Sequence, residues 1–169
     1  MKERPEKNTS SNIFDSKKQC NKIIFASLGG FIAIAIISFL ANYSSYPLIM
    51  GSFGASCVLI FGYPDSPFSQ PKNVISGHLI STFVGLTFLH FIGPQWWSMA
   101  LALSVALGLM IASNTVHPPA GSNPIIIFLT NANWSFIFLP STLGSITLVI
   151  IAFVFINLSS KKLYPKSWG

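Results

Sequence analysis

The run Asn114-Thr115-Val116-His117-Pro118-Pro119-Ala120-Gly121-Ser122-Asn123-Pro124 gathers polar groups inside an otherwise apolar stretch of chain. Pro118 disfavours helical geometry at His117, and Pro119 suits the first turn of a helix. Gly121, Ser122 and Asn123 then expose backbone amides and side-chain donors beside a positive helix end, which favours an anion. A second run, Gly51-Ser52-Phe53-Gly54-Ala55-Ser56, has the same make-up, so two short helices could aim donors at one point in mid-membrane. The alternative for the first run is a tight turn in which His117 caps a carbonyl, because turns use these same residue types. A third group is Lys72 with His78. Lys72 either draws an anion to a pathway mouth or snorkels to the headgroups, and His78 is either a polar interhelical contact or a pore-lining proton acceptor. The candidate substrate-binding residues are therefore His117, Gly121, Ser122, Asn123, Asn114, Gly51, Ser52, Gly54, Ser56, Lys72 and His78. At His117 an anion and a proton would bind with mutual support, the linkage that proton-coupled anion uptake needs.

The elements that must position these residues are membrane helices. Between residues 23 and 160 the only formally charged side chains are Asp65 and Lys72, a surface that water would not support and a bilayer demands. Residues 23–41, 74–93, 96–116 and 135–158 are each about 20 residues, the length that spans about 30 Å of hydrocarbon. The segments 47–62 and 118–130 are shorter, open with Pro and carry Gly-Ser, and read as half-helices. The expected fold is an all-α membrane protein of four long transmembrane helices plus two short Pro/Gly-led half-helices. Four to six crossings are open: six would place Lys72 on the side of the tails, and four with re-entrant segments would place it opposite. An internal two-fold repeat, 23–93 against 96–158, is a further expectation. The boundaries are a basic polar tail (1–22), the transmembrane domain (23–158) and a basic tail (159–169).

Charge and composition narrow the function. The formal charge of +6 comes from the tails, where Lys2, Arg4, Lys7, Lys17, Lys18 and Lys22 precede the first span and Lys161, Lys162 and Lys166 follow the last. This predicts both termini cytoplasmic, in the inner or plasma membrane if the source is bacterial, with membrane lipids as partners and no nucleic acid. No nucleophile–base pair, paired carboxylates or metal-spaced His/Cys set is present, so the chain is expected to be no enzyme and to need no metal or cofactor. Cys20 and Cys57 form no disulfide framework. Apart from Asp65 no acidic residue lies in the apolar region to hold Na⁺ or a cationic substrate, so the donors favour a small anion. Rows of small residues at Gly77-Ser81-Gly85 and Ser104-Gly108-Ala112 suit close helix packing and a homo-oligomer. A non-transporting membrane scaffold is the alternative.

His117-Pro118-Pro119-Ala120-Gly121, Gly51-Ser52-Phe53-Gly54-Ala55-Ser56 and Gln70-Pro71-Lys72-Asn73-Val74 with Gly77-His78 resemble the HPP family of small integral membrane proteins, over residues 22–158. The family is described as having four spanning segments, and members in chloroplasts and cyanobacteria are associated with nitrite transport. The resemblance thus implies a transporter or channel for a small, nitrite-like anion. The chain departs from the family at Lys72, where many members have Arg, and at Ser122-Asn123-Pro124, where they have Ala-Thr-Ala.

Overall fold

The computed structural model describes residues 9–44, 48–160 and 163–168. Among these the chain is helical, with no strand. Six α-helices follow in order: α1 (Thr9–Ser44), α2 (Gly51–Gly62), α3 (Pro71–Phe91), α4 (Trp96–Ala112), α5 (Asn123–Thr130) and α6 (Leu143–Ser159). Pro47, expected to open the first half-helix, and Lys2, Arg4, Lys7, Lys161 and Lys162 of the tails lie outside the described residues.

Three segments are long and apolar enough to cross a membrane, Ser16–Tyr43, Pro71–Phe91 and Trp134–Ser159. The expected fourth, 96–116, is shorter than its apolar run suggests. α4 is 17 residues, about 26 Å at 1.5 Å per residue, and stops at Ala112. Asn114 then takes a left-handed conformation (φ 54°), and the chain is extended at His117 as Pro118 requires. The last span is also irregular at its start. Trp134–Ile137 is a 3-10 turn, and Leu139 is extended (φ −130°, ψ 119°) before Pro140, so regular α6 begins only at Leu143. The 118–130 segment divides into a 3-10 stretch, Pro118–Ser122, and the eight-residue α5, which ends on left-handed Asn131.

Direction alternates along the chain. α2 returns beside α1, with Gly29 tight against Phe61, Gly30 facing Cys57, and Lys22 over the Tyr63 ring at 4.8 Å. α3 then runs away from that end and α4 comes back, bringing Val116 within reach of Asn73. The 115–130 segment climbs parallel to α3: Gly77 faces His117, Gly85 faces Pro124 and Ile127, and His90 bonds the Ala132 carbonyl at 3.0 Å. α6 descends past Phe53, which covers Gly144, to the turn between α2 and α3.

Lys22, Lys72 and Lys166 therefore share one end of the bundle, called here the tail end. There the segment after α6 is docked. The Tyr164 hydroxyl donates to the Ser69 carbonyl (2.8 Å), Gln70 Oε1 accepts from the Lys166 amide (2.8 Å), and Lys166 Nζ pairs with Asp65 (2.9 Å). Burial pushes the Tyr164 phenol up, so it stays a donor.

α3 is the spine, packed against α4, α5 and α6, while a second core joins α1, α2 and α6 through Ala33, Ile37, Phe53, Phe61, Leu148 and Ala152. The two rows of small residues differ in use. Gly77, Ser81 and Gly85 are buried against the chain's own 115–127 stretch, whereas Ser104, Gly108 and Ala112 face outward.

Candidate functional site

Extended backbone at membrane depth survives only if its polar groups find partners in the protein. After α4 the chain does this by leaning on α3. Asn73 Nδ2 donates to the Val116 carbonyl (2.9 Å) and Ser81 Oγ to the Ala120 carbonyl (2.5 Å). Between these two clamps the glycine at 77 lacks the side chain that would hold α3 and the 115–120 stretch apart. A β-carbon there would sit 2.8 Å from His117 Cβ and 3.1 Å from the Thr115 carbonyl oxygen. The His117 ring is thereby pressed against the face of α3 that also carries His78.

A connected set of polar side chains results. His117 Nδ1 lies 2.7 Å from the Phe68 carbonyl oxygen, and its Nε2 lies 2.8 Å from Ser56 Oγ. The same hydroxyl lies 3.3 Å from His78 Nε2, and His78 Nδ1 is 3.0 Å from Asn123 Nδ2. Asn123 Nδ2 also reaches Thr82 Oγ1 (2.9 Å), which is 2.7 Å from Ser141 Oγ, and Ser141 donates back to the His78 carbonyl (3.2 Å). Ser56, His78, Thr82, His117, Asn123 and Ser141 are all fully buried and come from five stretches of chain: α2, α3, the linker after α4, the start of α5 and the bend before α6. Phe53 closes the cluster with its ring edge-on to His78, 5.3 Å between centroids. None of these side chains carries a fixed charge, and the arrangement offers hydrogen bonds and proton exchange, not ion pairing. No group of three or more His, Cys, Asp or Glu side chains among the described residues could hold a metal ion.

Beside the cluster an open groove of about 760 Å³ runs between α2 and the Pro118–Asn123 break. Gly51, Ser52 and Ser122 line it together with Pro118 and Pro119, so residues of both Gly-Ser runs border one space. Ser52 Oγ and Asn123 Oδ1 are buried and have no hydrogen-bond partner among the described residues. Ser122 Oγ donates to the Pro119 carbonyl (2.8 Å), closing its own turn. No atom lies within 4 Å of a β-carbon built at Gly51, Gly54 or Gly121, so their outer faces are open.

Of the candidate residues, Ser56, His78, His117 and Asn123 are thus joined directly, and Gly51, Ser52 and Ser122 adjoin them. Asn114 is exposed in the turn that ends α4, and Lys72 is half-buried near the tail end, six residues before His78. Asn73 and Ser69 lie at the start of α3 without capping it: Asn73 holds Val116, and Ser69 Oγ donates to the Leu59 and Tyr63 carbonyls. Thr82, Ser141 and the Phe68 carbonyl were not anticipated. Thr82 has a signal, its i+4 spacing from His78 on one helix face. Ser141 has none, since it follows a break in the helix.

A family model described as "HPP, transmembrane region" matches residues 15–165. A curated protein of Dictyostelium discoideum described as a transmembrane protein is 34% identical over 152 residues, covering 85% of this chain and 53% of its own length. A second from the same organism, similarly described, is 32% identical over 152 residues, 85% of this chain and 49% of that protein. The chain spans about half the length of the curated relatives it matches. No solved structure matches it.

Proposed function

The chain belongs to the HPP transmembrane family, and from that premise we propose that it is an integral membrane transporter or channel for a small inorganic anion of the nitrite kind, coupled to a proton. The observation that carries the reading is the convergence of Ser56, His78, His117 and Asn123, from four separate stretches of chain, in a buried uncharged network beside a groove bordered by both Gly-Ser runs. Neutral donors suit a monovalent anion. They stabilise it without a buried Lys or Arg, which costs about 2.5–3.5 kcal/mol at the membrane centre. The groove wall is mostly apolar, with the positive start of α2 at Gly51 on it and the Ser52 hydroxyl, without a partner among the described residues, buried behind it.

In this reading the tail end, with Lys22, Lys72 and Lys166, faces the cytoplasm, and the chain passes the membrane plane six times, two of the passes being short. The alternation of direction and the shared end of the three lysines support this over re-entrant segments. Assembly is as a homo-oligomer, for which the exposed Ser104-Gly108-Ala112 row of α4 supplies a close-packing face. That same row favours the second reading, a scaffold that binds neighbours and transports nothing.

Purified protein in liposomes separates the two. Nitrite uptake is expected above that of protein-free liposomes and faster with an acidic exterior, and His117→Gln is expected to remove most of that pH dependence while the protein stays folded. Uptake no greater than in empty liposomes would sink the transport reading.

A further inference from the structure

We infer that Ser56 is a proton bridge, holding His78 and His117 as opposite neutral tautomers in one directed chain of hydrogen bonds. The inference rests on the transport reading for its use in the cell, but the tautomers and the bridge follow from geometry alone.

His117 fixes the direction. A carbonyl oxygen only accepts, so His117 Nδ1, 2.7 Å from the Phe68 oxygen, carries the hydrogen, and its Nε2 keeps a lone pair. That lone pair takes the Ser56 hydroxyl hydrogen across 2.8 Å, the shorter of two choices, since the same hydroxyl also faces the Ser52 carbonyl oxygen at 3.1 Å. The Ser56 oxygen is left free to accept, and His78 Nε2 faces it at 3.3 Å. His78 Nε2 is the protonated nitrogen of its ring, because Nδ1 accepts from Asn123 Nδ2 at 3.0 Å. The orientation of Asn123 is set in turn by the acceptors around its nitrogen: its second hydrogen goes to Thr82 Oγ1, the Thr82 hydroxyl turns to Ser141, and Ser141 donates to the His78 carbonyl. Every donor then points the same way, from Asn123 through His78 and Ser56 to His117 and the Phe68 carbonyl.

Such a chain passes a proton with one small rearrangement: Asn123 turns its amide over, so that Oδ1, which has no partner among the described residues, accepts from the newly protonated His78 Nδ1. A proton arriving at His78 Nδ1 makes that ring a cation. His78 then gives its Nε2 hydrogen to Ser56 Oγ as Ser56 gives its own to His117 Nε2. One N–H and one O–H bond break, one O–H and one N–H form, and the single positive charge has moved from His78 to His117 across 5.2 Å between ring centroids. Among the described residues no other titratable side chain enters the hydrogen-bond chain. The neighbours on the packed elements are Cys57, turned into the core between α1 and α2, and Lys72, at the tail end of α3; Asp65 pairs with Lys166 at the surface. A hydroxyl suits position 56, because among the small side chains it is the strong donor and acceptor at one atom.

Nitrogen-15 NMR of histidine-labelled protein in lipid tests the bridge without relying on transport. Wild-type protein is expected to show His117 protonated at Nδ1 and His78 at Nε2; finding both rings in one tautomer overturns the inference. Proton exchange between the rings should fall about 100-fold or more in Ser56→Ala and persist in Ser56→Thr, which keeps the hydroxyl and guards against a packing defect. Exchange in folded Ser56→Ala at the wild-type rate equally overturns it. Failure of nitrite uptake by wild-type protein, with the two tautomers and the Ser56-dependent exchange present, removes the transport reading and leaves the bridge standing.

Discussion

At the residue scale the geometry turns on how close α3 comes to the chain after α4. Gly77→Ala puts a methyl group 2.8 Å from His117 Cβ and 3.1 Å from the Thr115 oxygen, and the obstacle is partly backbone, which cannot swing aside. Loss of about 1–3 kcal/mol of stability is expected, with a displaced His117 signal, read by thermal unfolding in detergent and by histidine NMR. Gly54→Ala is the control, since nothing lies within 4 Å of its β-carbon and stability should change by no more than about 1 kcal/mol. The residues themselves were legible in the sequence: His117, Asn123, Ser56 and His78 all stand out as polar groups in an apolar chain. What could not be read was that one serine joins the two histidines. Helical spacing tells which face a residue occupies and nothing of which distant face will meet it. For the same reason Gly77 and Ser81 read only as packing residues, although Gly77 makes room for His117 and Ser81 holds the Ala120 carbonyl.

At the scale of elements, the apolar runs gave good estimates of where helices lie and poor ones of where they end. α3 matches its expected 74–93 closely because Pro71 starts it and Gly93, with φ 109°, follows it. The 96–116 run overestimates α4, and the 135–158 run, long enough to span as expected, hides an irregular start, because apolar composition continues through breaks that Asn114 and Pro140 impose on the backbone. The basic tail after α6 held a further surprise, being anchored as well as charged. Tyr164→Phe removes the donor to the Ser69 carbonyl, at a cost of about 1 kcal/mol. Faster hydrogen exchange at the Lys166 and Ser167 amides, which bond Gln70 Oε1, is the expected sign that the strap has loosened. Unchanged protection there would show that Asn157 and Gln70 hold the segment without the phenol.

For the whole molecule, exposure is distributed as a bilayer would require. In its most apolar window α1 is 17% buried against 50% for α3, so α1 presents Phe31 and Phe39 outward while α3 carries the polar interior. The layout predicts sidedness. In sealed vesicles Cys20, exposed at the tail end, should react with a membrane-impermeant thiol reagent from the same side as Ser167→Cys, and Asn131→Cys from the opposite side. Labelling of Cys20 and Asn131→Cys from one side would break the proposed arrangement. The depth of the histidine pair also has an electrical consequence. His78 is seven residues from Pro71, about 10 Å along a helix that spans about 30 Å. A charge brought to it from the tail end crosses about one third of the membrane voltage, about 0.8 kcal/mol at 100 mV, and from the far end about two thirds. Protonation of the pair should therefore depend on membrane voltage, about twice as strongly when the proton comes from the far side as from the tail end, because the two approaches to the same rings lie on unequal shares of the field.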